Sequence, residues 1–257
     1  MADLVTSRTK ERLTVTQTTR DRRYLHEDAL PEQSSRRALL ATSAVLVALG
    51  AVAFFTVLSG VLGHQGLALA DEPVRAWMVD HRAATLTAIM IVIATVSGPV
   101  GMPIVVAIFA ALWAWRSKHL WRALVLAFAM ILGMSLALTI APIVGRHRPP
   151  AEFMLLGLDP SSSFPSGHVL GVSDFLVVTG FLICSRAWSV LREVVCAVIA
   201  VVGIGLVAFS RVYLGYHWLT DMAASLSLSV FVVGVAIALD TWRPFRAREG
   251  VRVAAAR

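Results

Sequence analysis

Charge is scarce in this 257-residue sequence: Asp, Glu, Lys and Arg make up 15% of it, against 57% apolar residues. A water-soluble domain holds about 25% charged and about 45–50% apolar residues. The shortage therefore excludes an ordinary soluble enzyme and a disordered chain. It is also concentrated, since no Asp, Glu, Lys or Arg occurs from Ala38 to Leu62 or from Ala83 to Trp115. Uncharged apolar stretches of about 18 residues or more read as membrane spans. Cysteine is nearly absent too. Cys184 and Cys196 form no CxxC or CxxxH spacing, which excludes a disulfide scaffold and a metal knuckle and leaves two free thiols. Residues 1–37, ahead of the first apolar run, are mostly polar. They do not suit a cleavable signal peptide, so that run is expected to stay as the first span.

The apolar runs predict an all-α, polytopic membrane protein with six transmembrane helices. The first covers about Ala38–Leu62. The run Ala83–Trp115 is too long for one straight helix and too short for two. Ser97-Gly98-Pro99 interrupts it, giving a partly embedded helix at 84–97 and a span from Pro99 to Trp115. Further spans are expected at Trp121–Val144, His168–Cys184, Glu193–Phe209 and Trp218–Leu239. The linker 63–82 mixes Asp71, Glu72, Arg75, Asp80, His81 and Arg82 with apolar residues, as an amphipathic surface helix between the first two spans would. The organisation is a basic tail at 1–37, a membrane domain at 38–240 and a second basic tail at 241–257.

The net charge of +7 fits membrane sidedness better than nucleic-acid binding. Of the 23 Lys and Arg, 18 fall in the segments 1–37, 116–122, 185–193 and 240–257. The basic side of a membrane protein faces the cytoplasm, so both termini are expected inside. Arg75, Arg82, Arg146, Arg148 and Arg211 lie on the other side, three of them in the loops 145–167 and 210–217. Their presence against the general bias calls for a local cause.

Three segments meet at that extracytoplasmic face: Gly145-Arg146-His147-Arg148-Pro149, Pro165-Ser166-Gly167-His168, and Ser210-Arg211 with His217 and Asp221. Singly, each has an ordinary explanation. An interfacial Arg snorkels to headgroups, a His at a helix start caps it, and His217 with Asp221 makes a structural pair. Jointly they suit an anion. Arg148 and Arg211 offer planar forks of N–H donors for phosphate oxygens. Ser166 and Gly167 precede a helix whose free N–H groups and dipole attract negative charge. His217 and Asp221, four apart, share a face if helical, so the carboxylate can orient the imidazole as a nucleophile. His168 is available as a general acid. Asp174, deeper in the same predicted span, is an intramembrane acid and a functional suspect.

Pro165-Ser166-Gly167-His168 and Ser210-Arg211-x5-His217-x3-Asp221 resemble the second and third signature motifs of the type 2 phosphatidic acid phosphatase superfamily, and Arg148-Pro149 resembles the end of its first. The resemblance covers roughly residues 38–240. It implies a lipid phosphatase in which His217 attacks phosphorus, Asp221 holds His217, His168 protonates the leaving oxygen, and Arg148, Ser166, Gly167 and Arg211 bind the phosphate. No metal or other cofactor is implied. The family's first motif opens with lysine where this chain has Ala141, and Arg146 is expected to supply the missing phosphate contact. The substrate implied is a lipid phosphate in the outer leaflet, polyprenyl diphosphate ahead of phosphatidic acid or phosphatidylglycerol phosphate. A phosphotransferase and a site weakened at Ala141 stay open as alternatives.

Overall fold

The computed structural model describes residues 33–117, 120–185 and 189–242, and all regular structure among them is helical. The expected tails fall outside these residues except at their inner edges. Eight α-helices follow one another: α1 Gln33–Gly63, α2 Asp71–Asp80, α3 Ala84–Val96, α4 Gly101–Ser117, α5 Trp121–Val144, α6 Gly167–Cys184, α7 Val190–Tyr213 and α8 Leu219–Trp242. Short 3₁₀ turns stand at Gly66–Ala70 and Ala151–Phe153.

Helices α1, α5, α6, α7 and α8 are each long and apolar enough to cross a membrane. A 24-residue helix rises about 36 Å, enough for a hydrocarbon layer of about 30 Å. The pair α3 and α4, bent by 59° at its break, is long and apolar enough as a unit to make a sixth. The bend follows from the sequence. Pro99 lacks an N–H and disfavours helical geometry at Gly98, and Ser97 closes α3 by donating its hydroxyl to the Ile93 carbonyl (2.7 Å). Large side chains such as Val52, Ile131 and Val201 stay exposed on the outer helix faces, which in this setting means facing lipid.

Helix α8 is the most buried of the spanning helices. Its lower half joins α5 and α6 in a core built on Val125, Leu126, Val178, Leu182, Val232 and Ala236. Its most extensive partner is α1, and small residues set that contact. A methyl group on Gly50 would stand 2.5 Å from the Phe231 nitrogen, and one on Gly234 would stand 2.9 Å from the Ser43 carbonyl oxygen. Ser43 also donates its hydroxyl to the Gly234 carbonyl (2.8 Å). Between apolar helices in lipid, association depends on such close backbone approach and on interhelical hydrogen bonds. Asp174 is buried on α6, packed beside Gly133 of α5.

One sequence expectation needs correction. The fifth span was expected to end at Phe209, but α7 runs on to Tyr213, so Ser210 and Arg211 sit in its last turn and the loop is only 214–218. A charged residue does not end a helix whose backbone bonds continue, and the Leu214 N–H still reaches the Ser210 carbonyl (3.0 Å). The expected helix between the first two spans is α2, which packs Val74 and Met78 against the bundle core and buries Asp71 and Arg75 beside them.

Adding one methyl at Gly50 or Gly234 pushes backbone against backbone, with no flexible side chain to yield. Gly50→Ala and Gly234→Ala are each expected to cost about 1–3 kcal/mol, the usual penalty of overpacking. A lowered thermal unfolding midpoint in detergent checks this, and an unchanged midpoint refutes the close α1–α8 contact.

Candidate active site

The three polar segments assemble at one end of the bundle. The first leaves α5 at Gly145 and runs as an extended loop, held by the Ser163 N–H on the Arg146 carbonyl (2.9 Å) and the Trp218 indole N–H on the His147 carbonyl (2.9 Å). The second enters α6, with Ser166 at the N-cap position and Gly167 as the first helical residue. The third is the turn from α7 into α8. Gly215 makes that turn possible: it has φ +84°, and a side chain on it would collide with the Phe153 carbonyl. Arg82 clamps the same turn from below, donating to the carbonyls of Tyr213 (2.8 Å) and Phe153 (2.8 Å).

His217 and Asp221 are brought together in a way the sequence did not foretell. They were expected to share a helix face, but α8 begins at Leu219, so His217 lies ahead of it. Asp221 sits at the third helical position and turns back, its Oδ2 accepting the Trp218 backbone N–H (2.9 Å). This is the carboxylate half of a capping box. The same oxygen takes Nδ1 of His217 at 3.2 Å. On the far side of the ring, Nε2 lies 3.2 Å from Nη1 of Arg148. A guanidinium can only donate, so Nε2 must be the unprotonated nitrogen and Nδ1 carries the hydrogen. The two contacts thus select one neutral tautomer, with its lone pair facing the arginine.

Protonation agrees with this geometry. His217 is 3% exposed, and its pKa is held down at about 4. Burial is the main cause. The hydrogen bond to Asp221 opposes it, while the positive charges of Arg211 and Arg148 add to it. The imidazole is therefore uncharged at neutral pH.

Arg148 also donates to the carbonyls of Tyr216 (2.7 Å) and Ser161 (3.0 Å) and pairs with Asp159 (2.8 Å). Arg211 is buried, its guanidinium 4.8 Å from the centre of the Tyr216 ring. Two buried polar atoms of the site, Nε of Arg211 and Oγ of Ser166, have no hydrogen-bond partner. Leaving such a group unsatisfied costs about 1–3 kcal/mol, and an anion's oxygens would satisfy both. Gly167 has open space where a side chain would stand. His168, part-buried in the first turn of α6, has its Nε2 next to Gly98 at the α3–α4 break and lies within electrostatic reach of Arg211, His217 and Arg148.

Arg146 departs from its expected role. It was expected to stand in for a phosphate-binding lysine, but Nη1 donates to Asp221 Oδ1 (2.6 Å) and Thr220 Oγ1 (2.7 Å), and Nη2 donates to Asp71 Oδ2 (2.6 Å). Its terminal nitrogens are committed to carboxylates, the physical opposite of a vacant anion site. Sequence reasoning missed several supporting residues. Ser225, one turn beyond Asp221, accepts the Ser166 N–H (2.9 Å) and donates to the Asp221 carbonyl (2.8 Å), tying the second and third segments together. Its i+4 spacing from Asp221 was the available signal. Asp71 lies outside any motif and Tyr216 falls among the unspecified positions of the third, so neither gave a signal. Among the described residues no group of three or more His, Cys, Asp or Glu side chains is arranged to hold a metal ion.

A polytopic helical membrane protein with a histidine–carboxylate pair beside Arg148 and the buried Arg211 is the class these features define. Residues 122–245, a little under half of the chain, match the model of the PAP2 superfamily. It is 28% identical over 181 residues to phosphatidylglycerophosphatase B of Bacillus subtilis (strain 168), covering 70% of this chain and 87% of that protein. It is 27% identical over 133 residues to the undecaprenyl-diphosphatase of Sulfolobus acidocaldarius, covering 51% of this chain and 60% of that one. The fold is similar to the crystal structure of a transmembrane PAP2-type phosphatidylglycerolphosphate phosphatase from Bacillus subtilis, with a TM-score of 0.69 at 23% identity over 78% of this chain and 98% of that chain.

Histidine NMR in detergent tests the electrostatics directly. The His217 ring is expected to stay neutral as pH falls from 7 and to gain its proton only near pH 4. In Arg148→Met, with a repelling charge removed, the midpoint moves upward. Titration of the wild-type ring at the ordinary value near 6.5 contradicts the buried, arginine-flanked setting.

Proposed function

We propose that the protein hydrolyses lipid-linked phosphate or diphosphate through a phosphohistidine at His217. The observation that carries this reading is the fixed tautomer of His217, with Asp221 on Nδ1 and Arg148 on Nε2. An arriving phosphate takes over the Arg148 donors, and the Nε2 lone pair then faces phosphorus. In the first step Nε2 forms a bond to phosphorus as the P–O bond to the lipid breaks, and His168 gives its proton to the departing oxygen. In the second, water attacks phosphorus, His168 takes a proton from it, and the N–P bond returns its electron pair to Nε2. Arg148, Arg211, Ser166 and the N–H groups at the start of α6 stabilise the charge that builds on the equatorial oxygens. No metal takes part in these steps.

We place the site on the extracytoplasmic side, on the strength of the Lys and Arg distribution. A polyprenyl diphosphate is the substrate we put first and phosphatidylglycerol phosphate the second. The Sulfolobus acidocaldarius and Bacillus subtilis relatives, named for those two activities, support one each.

Detergent-purified protein, assayed for phosphate release from a panel of lipid phosphates, tests the chemistry. Turnover is expected to survive excess chelator, to stop with orthovanadate and to vanish in His217→Ala. His168→Ala should lower kcat by about 10²- to 10⁴-fold, the usual contribution of a general acid. Quenching in alkaline detergent should trap an alkali-stable, acid-labile phosphoprotein; turnover that requires added metal refutes the scheme. For sidedness, Leu158, exposed in the loop before Phe164, is replaced by cysteine in intact cells. A membrane-impermeant thiol reagent should label Leu158→Cys, and labelling only after lysis reverses the orientation.

A further inference from the structure

Helix α2 carries none of the residues that suggested chemistry, yet its first residue reaches the centre of the site. Asp71, 5% exposed, accepts the Thr220 N–H on Oδ1 (2.9 Å) and the Thr220 hydroxyl on Oδ2 (2.7 Å). Oδ2 also takes Nη2 of Arg146 at 2.6 Å. The other terminal nitrogen of that guanidinium reaches Oδ1 of Asp221 at 2.6 Å, while Oδ2 of Asp221 faces His217. A buried chain thus runs Asp71, Arg146, Asp221, His217, through four side chains from three separate stretches of sequence. We propose that Arg146 and Asp71 are positioning residues of the catalytic pair, with Arg146 bridging two carboxylates so that Asp221 keeps its second oxygen on Nδ1 of His217.

This inference rests on His217 being the nucleophile. Asp221 has its side chain fully shielded from solvent, so its partners alone decide how it lies. With Oδ1 unheld, the carboxylate can rotate about its own bond and draw Oδ2 away from both Nδ1 and the Trp218 N–H. Arg146 prevents this because a planar fork presents two donors in fixed directions, which one ammonium cannot do. Asp71 in turn fixes Arg146 and the backbone of Thr220, beside Asp221. The same commitments separate Arg146 from Arg148 and Arg211. A phosphate on Arg146 would have to displace two carboxylates already bonded to it, inside a buried, low-dielectric setting.

The test compares Asp71→Asn, Arg146→Lys, Arg146→Met and the double variant Asp71→Asn with Arg146→Met. It measures kcat and KM on the best lipid phosphate and inorganic phosphate affinity by calorimetry. Misplacing a reacting group by about 1 Å costs about 10²-fold, so Arg146→Met and Asp71→Asn are expected to lose roughly that much kcat. KM and phosphate affinity should hold within about threefold in both. Arg146→Lys should recover part of the kcat lost in Arg146→Met. The double variant should lose less than the product of the single losses, as residues acting in series do. If Arg146→Met does not fold, Asp71→Asn, which keeps the shape of the side chain, and Arg146→Lys decide the matter. A tenfold loss of phosphate affinity at unchanged kcat makes Arg146 a direct ligand and overturns the proposal, as does an unaltered kcat in Asp71→Asn. Either result leaves the phosphatase reading intact. That reading falls separately, if the wild type releases no phosphate or His217→Ala matches it.

Discussion

One carboxylate without solvent contact organises this molecule's polar end. Asp221 accepts the Trp218 N–H and Nδ1 of His217 on one oxygen and Arg146 on the other. The first of these bonds starts α8, the second orients the imidazole, and the third reaches Asp71 on α2. A buried carboxylate is costly unless its lone pairs are matched by donors, so the donors cannot drift without a penalty. Helix initiation, imidazole orientation and the docking of α2 are thereby coupled through one group.

The membrane bundle gives that group its setting. Apolar helices crossing a bilayer gain little from burying one another, because lipid is as apolar as they are. What locks α8 in place is close backbone contact at Gly50 and Gly234, and the Ser43 bond across it. The site then sits at the end of the best-packed helix, with α6 and α7 delivering Ser166, His168 and Arg211 beside it. The bend between α3 and α4 leaves Gly98 next to His168, where a methyl group would stand 3.4 Å from Nε2. A break that looks like an interrupted span therefore also shapes the wall of the site.

Much of this was legible in the residues. Runs without charge located the spans, since water-exposed helices cannot be so poor in charge, and the interruption at Ser97-Gly98-Pro99 marked the bend. The short polar segments marked the site because Arg, His and Asp are expensive at a membrane boundary unless something there uses them. Less legible was the manner of contact. The spacing of His217 and Asp221 suggested a shared helix face, whereas a capping bond at the start of α8 brings them together. Arg146 stood two residues from Arg148 and looked like its companion, yet the loop turns it toward two carboxylates. Asp71 was invisible as a site residue, because nothing local distinguishes it from Glu72 on an amphipathic helix.

Composition and order along the chain decide what each stretch prefers: which segments enter lipid, where helices break, and which end of the bundle gathers cations and imidazoles. These are local or additive quantities, summed over neighbours in sequence. Whether a guanidinium meets a phosphate or a carboxylate is a matter of angstroms between groups 75 residues apart, as Arg146 is from both Asp71 and Asp221. Only the packed helices settle it, because a hydrogen bond depends on distance and direction, and neither exists until the chain has folded back on itself.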